Sequence, residues 1–293
     1  MHITRAGVGD PPVFFVHGLA CDGRDWRAQA RALTPRMTVA TCDLPGHGLS
    51  PGTPPECTIE AYGTAVARAV AALDGPPAIL VGHSMGCRVV LAAHRARPRI
   101  VAGLVLVDGS RIGAGDPAAA GQSMADELVG DGYLRFMRDF FESMFVPSSD
   151  PATRRAIVDR ALRFPAELGR PLLTDLARWD AGEVEAALDA VDVPLLAIQS
   201  TTMDTARERV SLAPGMPSPW LDLVSSRVPR ARQAILPGSS HFPQIELADD
   251  VTALITDFAA AVQLRDWTPV CRSEGGHRVV RIDDRDDHSP SAS

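Results

Sequence analysis

Strand-length apolar runs separated by segments of helical period fix the class of this chain. PVFFVHG from Pro12, MTVATCDLPG from Met37, AILVGHS from Ala78 and GLVLVDGS from Gly103 are rich in β-branched or aromatic residues, and each is closed by Gly, Asp or Pro. Between them lie DWRAQARAL, TIEAYGTAVARAVAALDG and GCRVVLAAHRARP, whose apolar residues recur at helical spacing. Such alternation predicts βαβ units and a mostly parallel sheet buried on both faces by helices. The pattern pauses after Asp108 and resumes with VPLLAIQS from Val193 and RQAILPGSSH from Arg232. An amphipathic closing helix is expected in PQIELADDVTALITDFAAAVQ.

The pause divides the chain into an α/β core in two parts, 1–110 and 191–264, an all-helical insertion over 111–190, and a charged, turn-rich tail over 265–293. The tail is expected to be mobile, although its HRVVRI run has the pattern of an edge strand. An insertion between two parallel strands is naturally a lid over the strand C-terminal ends, where open α/β sheets bind ligands. Phe136, Met137, Phe140, Phe141, Met144 and Phe145 form an apolar stripe within it. The stripe either seats the lid on the core or lines an acyl or aromatic pocket through Phe140, Phe141 and Phe145.

Composition narrows the functions. The 293 residues are 45% apolar, enough for one large core with an insertion. The net charge of −7, with arginine as the only strong base, argues against nucleic acid as a partner. Five scattered cysteines (Cys21, Cys42, Cys57, Cys87, Cys271) form no C-x-x-C pair, so neither a disulfide framework nor a zinc site is expected. No phosphate-binding glycine loop or H-E-x-x-H occurs, which predicts chemistry without metal or cofactor. The N-terminus lacks a signal-type apolar segment, and no run approaches the ~18 residues of a membrane span. A cytoplasmic monomer or homodimer acting on a small molecule is the expectation.

Gly82-His83-Ser84-Met85-Gly86 joins a buried apolar run directly to a helical one. In a turn that sharp, a Cβ two positions before or after the serine would collide with the neighbouring element, and glycine removes it. Ser84 would then project its hydroxyl above the sheet at a helix N-terminus, where the helix dipole favours developing negative charge.

This segment and four others resemble the α/β-hydrolase superfamily over residues 12–264. HGLACDGRDW (from His17) is similar to the family's HG loop, and DLPGHGLS (from Asp43) to its D-x-P-G-x-G-x-S loop. The helical insertion falls where the family carries a cap, and LPGSSHFPQIE (from Leu236) resembles its late G-x-x-H-F-x-x-x-E stretch. The resemblance implies a cofactor-free serine hydrolase. Ser84 would be the nucleophile, His241 the general base and acid, and the Leu19 and Met85 N–H groups the oxyanion hole. Serine needs a neighbouring imidazole to become nucleophilic, and histidine titrates near neutrality. His17 is expected to shape the oxyanion loop, His83 to flank the nucleophile, and His47 and His94 to be structural. Asp25 reads as a helix N-cap, and Asp43 as the tie of the DLPGHG turn.

The acid has two main candidates. Asp204, in QSTTMDTARE, has the family's chain order and is the first choice, although Ser200 stands where a glycine is usual and the aspartate comes one residue late. Asp108, in LVLVDGS, is the alternative, since some branches carry the acid after the preceding strand; another carboxylate is the remaining option. The GHSMG elbow is shared by esterases, lactonases, thioesterases and carbon–carbon bond hydrolases. A small or medium apolar ester or lactone is favoured because a lid limits access. A low-turnover ligand receptor on the same fold is the competing class.

Overall fold

The computed structural model describes residues 1–73, 75–204 and 208–264; the expected mobile tail, with Cys271 and the HRVVRI run, lies outside them. All six apolar runs form strands: β2 (Val13–Val16), β3 (Val39–Asp43), β4 (Ala78–His83), β5 (Val101–Val107), β6 (Leu195–Gln199) and β9 (Arg232–Ile235). With the N-terminal β1 (His2–Ala6) they build a seven-stranded sheet of order β1-β3-β2-β4-β5-β6-β9. Every pairing is parallel except β1 with β3, which runs antiparallel from His2–Asp43 to Ala6–Val39. The sequence pattern missed β1 because all five of its residues are exposed, so it carries no apolar alternation. It also missed a two-stranded antiparallel ribbon, β7 (Thr201–Met203) and β8 (Arg209–Ser211).

The sheet is buried on both faces, and residues along each strand alternate between them. Phe14, Val16, Leu80, Leu104 and Leu106 pack with α2 (Ile59–Ala71) and α3 (Met85–Ala96) in one core. Val13, Phe15, Ile79, Val81, Val105 and Val107 pack with α1 (Arg27–Leu33) and the C-terminal helix in the other.

Five helices stand between β5 and β6: α4 (Pro117–Glu127), α5 (Gly132–Glu142), α6 (Pro151–Leu162), α7 (Ala166–Gly182) and α8 (Val184–Asp189). Both α4 and α6 start at an Asp-Pro pair. Asp116 and Asp150 cap the Ala119 and Thr153 N–H groups, while the proline supplies a helical φ where no donor is needed. After β8 come α9 (Pro219–Arg227), then α10 (Pro243–Glu246) and α11 (Ala248–Gln263), so the expected closing helix is two helices broken at Leu247. Among the described residues no helix is long and apolar enough to cross a membrane.

Asp25 does not cap a helix. Asp22 caps the Gly23–Trp26 turn, and α1 starts from Trp26. Asp25 instead receives both terminal nitrogens of Arg160 in α6, each at 2.7 Å, so its carboxylate ties the insertion to the core. Asp43 has the expected role, accepting from Gly23 N and Leu49 N at 2.8 Å.

Candidate active site

Ser84 sits between β4 and α3 with φ 53° and ψ −114°. A Cβ on Gly82 would lie 2.2 Å from Gly86 O, and one on Gly86 would lie 2.5 Å from Val16 O of the adjacent strand. Both glycines are therefore required by close backbone approach. Among the described residues the non-glycine positive-φ positions are Ala20, Ser84 and Asp108, at 50°, 53° and 46°. All three fall in the loops at the ends of β2, β4 and β5, and strained backbone gathers where function needs a fixed geometry.

His241, on the loop between β9 and α10, places Nε2 2.8 Å from Ser84 Oγ and Nδ1 2.5 Å from Asp108 Oδ2. Ser84 and His241 thus lie together as expected, and the aspartate beside them is the alternative candidate, Asp108, and not the first choice, Asp204. Asp204 lies at the end of β7, where its Oδ1 accepts from Glu208 N at 2.9 Å. Asp108 holds the imidazole because it ends β5, next to β6 in the sheet, whose exit supplies its donors. Ser200 N and Oγ donate to Asp108 Oδ1 at 2.7 and 2.9 Å, and Thr201 Oγ1 donates to Oδ2 at 2.7 Å. Ser200, where a glycine was expected, puts its hydroxyl between Asp108 Oδ1 and Ser240 O, at 2.9 and 2.7 Å.

The electrostatics follow from burial and these partners. Burial opposes ionisation of Asp108, but the His241 hydrogen bond, the His241 and Arg209 charges and the Ser200 N–H outweigh it and hold the carboxyl well below the usual range. His241 is pushed below its ordinary value by burial first and by Arg209 second, with Asp108 opposing. Arg209, on β8, donates to Thr201 Oγ1 at 2.8 Å and lies 3.5 Å from His241 Nδ1. His241 is thus a neutral imidazole near neutral pH, its Nδ1–H on the carboxylate and its Nε2 lone pair toward the hydroxyl.

The loop that carries His241 is fixed on three sides. Its backbone N–H donates to Met144 O of the insertion at 3.0 Å. His83 Nε2 lies 2.7 Å from His241 O, a contact that puts the His83 proton on Nε2. Burial, then the adjacent His241, push His83 down to about 3, so it stays neutral. Glu246 accepts from Ser240 N and Ser239 Oγ at 2.6 and 3.0 Å, which gives the glutamate of the late stretch its role.

Leu19 lies on the loop after β2, and Met85 opens α3. A Cβ on Gly18 would be 3.3 Å from Ser84 Cβ, so this loop abuts the serine. Among the described residues neither the Leu19 nor the Met85 N–H donates a hydrogen bond to the protein. His17 shapes the loop as expected: Nε2 accepts from Leu44 N at 3.0 Å and Nδ1 donates to Gly18 O at 2.7 Å. His47 and His94 are buried, the His47 ring tilted against Phe164 with centroids 4.4 Å apart and His94 3.1 Å from Asp192.

The phenylalanine stripe divides. Phe141 and Met137 are buried in the core, and Phe140 is half-buried and stacked on Phe136. Phe145 stacks on Phe242, the residue after His241, with centroids 5.3 Å apart. Of the three candidates, Phe145 is thus the one whose packing reaches the His241 loop.

Sequence reasoning passed over Arg88 and Asp180. Arg88, on α3, is 1% exposed and forms a fork on Asp180 of α7, with Nε–Oδ1 2.8 Å and Nη2–Oδ2 2.7 Å. Its Nη1 donates to Ser84 O at 3.0 Å and its Nη2 to Ser110 O. An arginine four residues after the serine, on a helix with no exposed face, was the available signal.

Comparison with known proteins identifies the family and the fold. A model of the alpha/beta hydrolase family matches residues 13–254. Lipase LipV of Mycobacterium tuberculosis is 39% identical over 119 residues, 38% of this chain and 45% of that protein. Pimeloyl-[acyl-carrier protein] methyl ester esterase of Methylococcus capsulatus is 34% identical over 140 residues, 47% of this chain and 53% of that protein. The chain thus spans about half the length of these curated relatives. The solved structure of a thermophilic esterase from Thermogutta terrifontis superposes with a TM-score of 0.73 at 23% identity, covering 89% of this chain and 93% of that one. At that identity the likeness establishes the α/β-hydrolase fold.

Proposed function

The chain belongs to the alpha/beta hydrolase family, and on that premise we propose that it is a cofactor-independent serine hydrolase of small or medium, largely apolar carboxylic esters or lactones. The observation that carries the reading is the unbroken hydrogen-bonded series Asp108–His241–Ser84, at 2.5 and 2.8 Å, ending on a serine held at a positive-φ turn.

Ser84 Oγ attacks the substrate carbonyl carbon while His241 Nε2 takes the hydroxyl proton. Asp108 fixes the imidazole tautomer and stabilises the imidazolium. The carbonyl oxygen, now an oxyanion, is received by the Leu19 and Met85 N–H groups, each worth ~3 kcal/mol in such a role. Collapse expels the alkoxide, which takes its proton from His241 and leaves an acyl-serine. A water deprotonated by His241 then releases the acid.

The helical insertion acts as a cap, and Phe145 with Phe242 gives the acyl group an apolar wall beside His241. Relatives named lipase and methyl ester esterase support ester cleavage. A fluorophosphonate probe labels the wild-type chain and leaves Ser84→Ala unlabelled; equal labelling of both overturns the assignment. A panel of p-nitrophenyl esters, thioesters and lactones on the purified protein then identifies the bond class. Burst release without steady turnover would mark a receptor instead.

A further inference from the structure

The guanidinium of Arg88 reaches the carbonyl side of the peptide whose N–H faces the proposed oxyanion. The Ser84–Met85 peptide is planar, so Ser84 O and the Met85 N–H point in opposite directions from one rigid plate. A donor that fixes the oxygen therefore fixes the aim of the N–H. Arg88 Nη1 donates to that oxygen at 3.0 Å. The same guanidinium holds Asp180 by two bonds and donates to Ser110 O, two residues beyond Asp108. Asp180 is fully buried and also accepts from Ile112 N at 2.7 Å.

We propose that Arg88 and Asp180 form a positioning pair through which the helical insertion sets the oxyanion-binding peptide and the acid loop together. The proposal rests on the hydrolase reading above. Burial alone would lower the proton affinity of Arg88, but the Asp180 charge and hydrogen bonds more than offset this, so the guanidinium stays charged. A cationic donor on a carbonyl also polarises the peptide, making its N–H a better donor in a water-poor site. An α3 helix needs no such group: Cys87 N already donates to Ser84 O at 3.0 Å. A neutral, apolar residue would fill the space with less desolvation cost.

The test compares Arg88→Met, Asp180→Asn and the double variant Arg88→Met/Asp180→Leu with wild type. Folding is followed by thermal unfolding, because a buried charge left single is destabilising whereas removing both charges is often neutral. The expected result for the folded double variant is a fall in kcat of about 10- to 100-fold with KM little changed, since one oxyanion donor is worth up to about 10³ and here it is misaimed, not removed. Inhibition by an alkylboronic acid, which adds to Ser84 Oγ and places an oxygen in the oxyanion site, should weaken by a similar factor. Inhibition by the free carboxylic acid product should not. A folded double variant with wild-type kcat and boronate affinity overturns the proposal. Loss of boronate and product affinity in equal measure overturns it too, since that is general disruption. Failure of the parent reading shows separately, as wild-type protein that no fluorophosphonate labels.

Discussion

Asp108 Oδ2 and His241 Nδ1 lie 2.5 Å apart across 133 positions of chain, and Asp204, nearer in sequence to His241, is bonded elsewhere. Replacing Asp108 with Asn keeps the shape but offers an amide N–H where Nδ1–H needs an acceptor. The imidazole then loses its working tautomer, and kcat should fall by roughly 10³- to 10⁴-fold. Asp204→Asn should leave kcat close to wild type. Steady-state hydrolysis of p-nitrophenyl butyrate decides, and the reverse ranking would return the role to Asp204.

The pH profile of kcat/KM follows from the neutral imidazole. Burial and Arg209 place His241 below its ordinary value of 6.5, and activity needs the unprotonated base. The rate should therefore be full at neutral pH and fall on acidification with a midpoint below 6.5. Arg209→Met removes the larger of the two cationic influences that, with burial, depress it (the other is Arg88), so its midpoint should move upward. A midpoint unmoved or lowered by this change would refute the electrostatic account.

Acid should also destabilise the fold in a defined window. His83 is held at about 3 in the folded chain and takes a proton near its ordinary value of 6.5 when unfolded. His17 is likewise lowered by burial. Between those values the unfolded chain binds more protons, so stability is present above about pH 6.5 and declines as pH falls through the window. Tm measured from pH 7.5 to 4.5 should drop over this range, before the carboxylates titrate.

Gly86→Ala tests the packing of the elbow. Its Cβ would meet Val16 O at 2.5 Å and His17 O at 2.8 Å, both backbone atoms that cannot rotate aside. The cost should be at the upper end of the ~1–3 kcal/mol typical of overpacking, or beyond it. Urea unfolding measures it, and the activity of the remaining folded protein should be lost as Ser84 shifts.

Phe145→Ala should broaden the acyl range. The ring stacks on Phe242 beside His241, and removing it leaves room for a longer chain at some cost in stability. The ratio of kcat/KM for octanoate over butyrate esters should rise. An unchanged ratio would make Phe145 a seat for the insertion and nothing more.

What the sequence revealed depended on whether one segment carried the information. Six of the seven sheet strands and the turn at Ser84 were legible because burial and steric closeness act over a few residues. The β1 strand was not, because an exposed edge leaves no apolar mark. Choosing between Asp108 and Asp204 needed the knowledge that β6 exits beside β5, so that Ser200 and Thr201 face Asp108. The partner of Arg88 was hidden for the same reason: Asp180 is 92 positions away and alone reads as an ordinary helix charge.

The bond from His241 N to Met144 O joins main chain to main chain. Such a tether is indifferent to side-chain identity at position 144, because every residue type offers a carbonyl there. Side-chain changes in the inserted segment therefore leave this anchor of the His241 loop in place. The side chains of the insertion and the seating of the imidazole are thus uncoupled at this point by an ordinary peptide hydrogen bond.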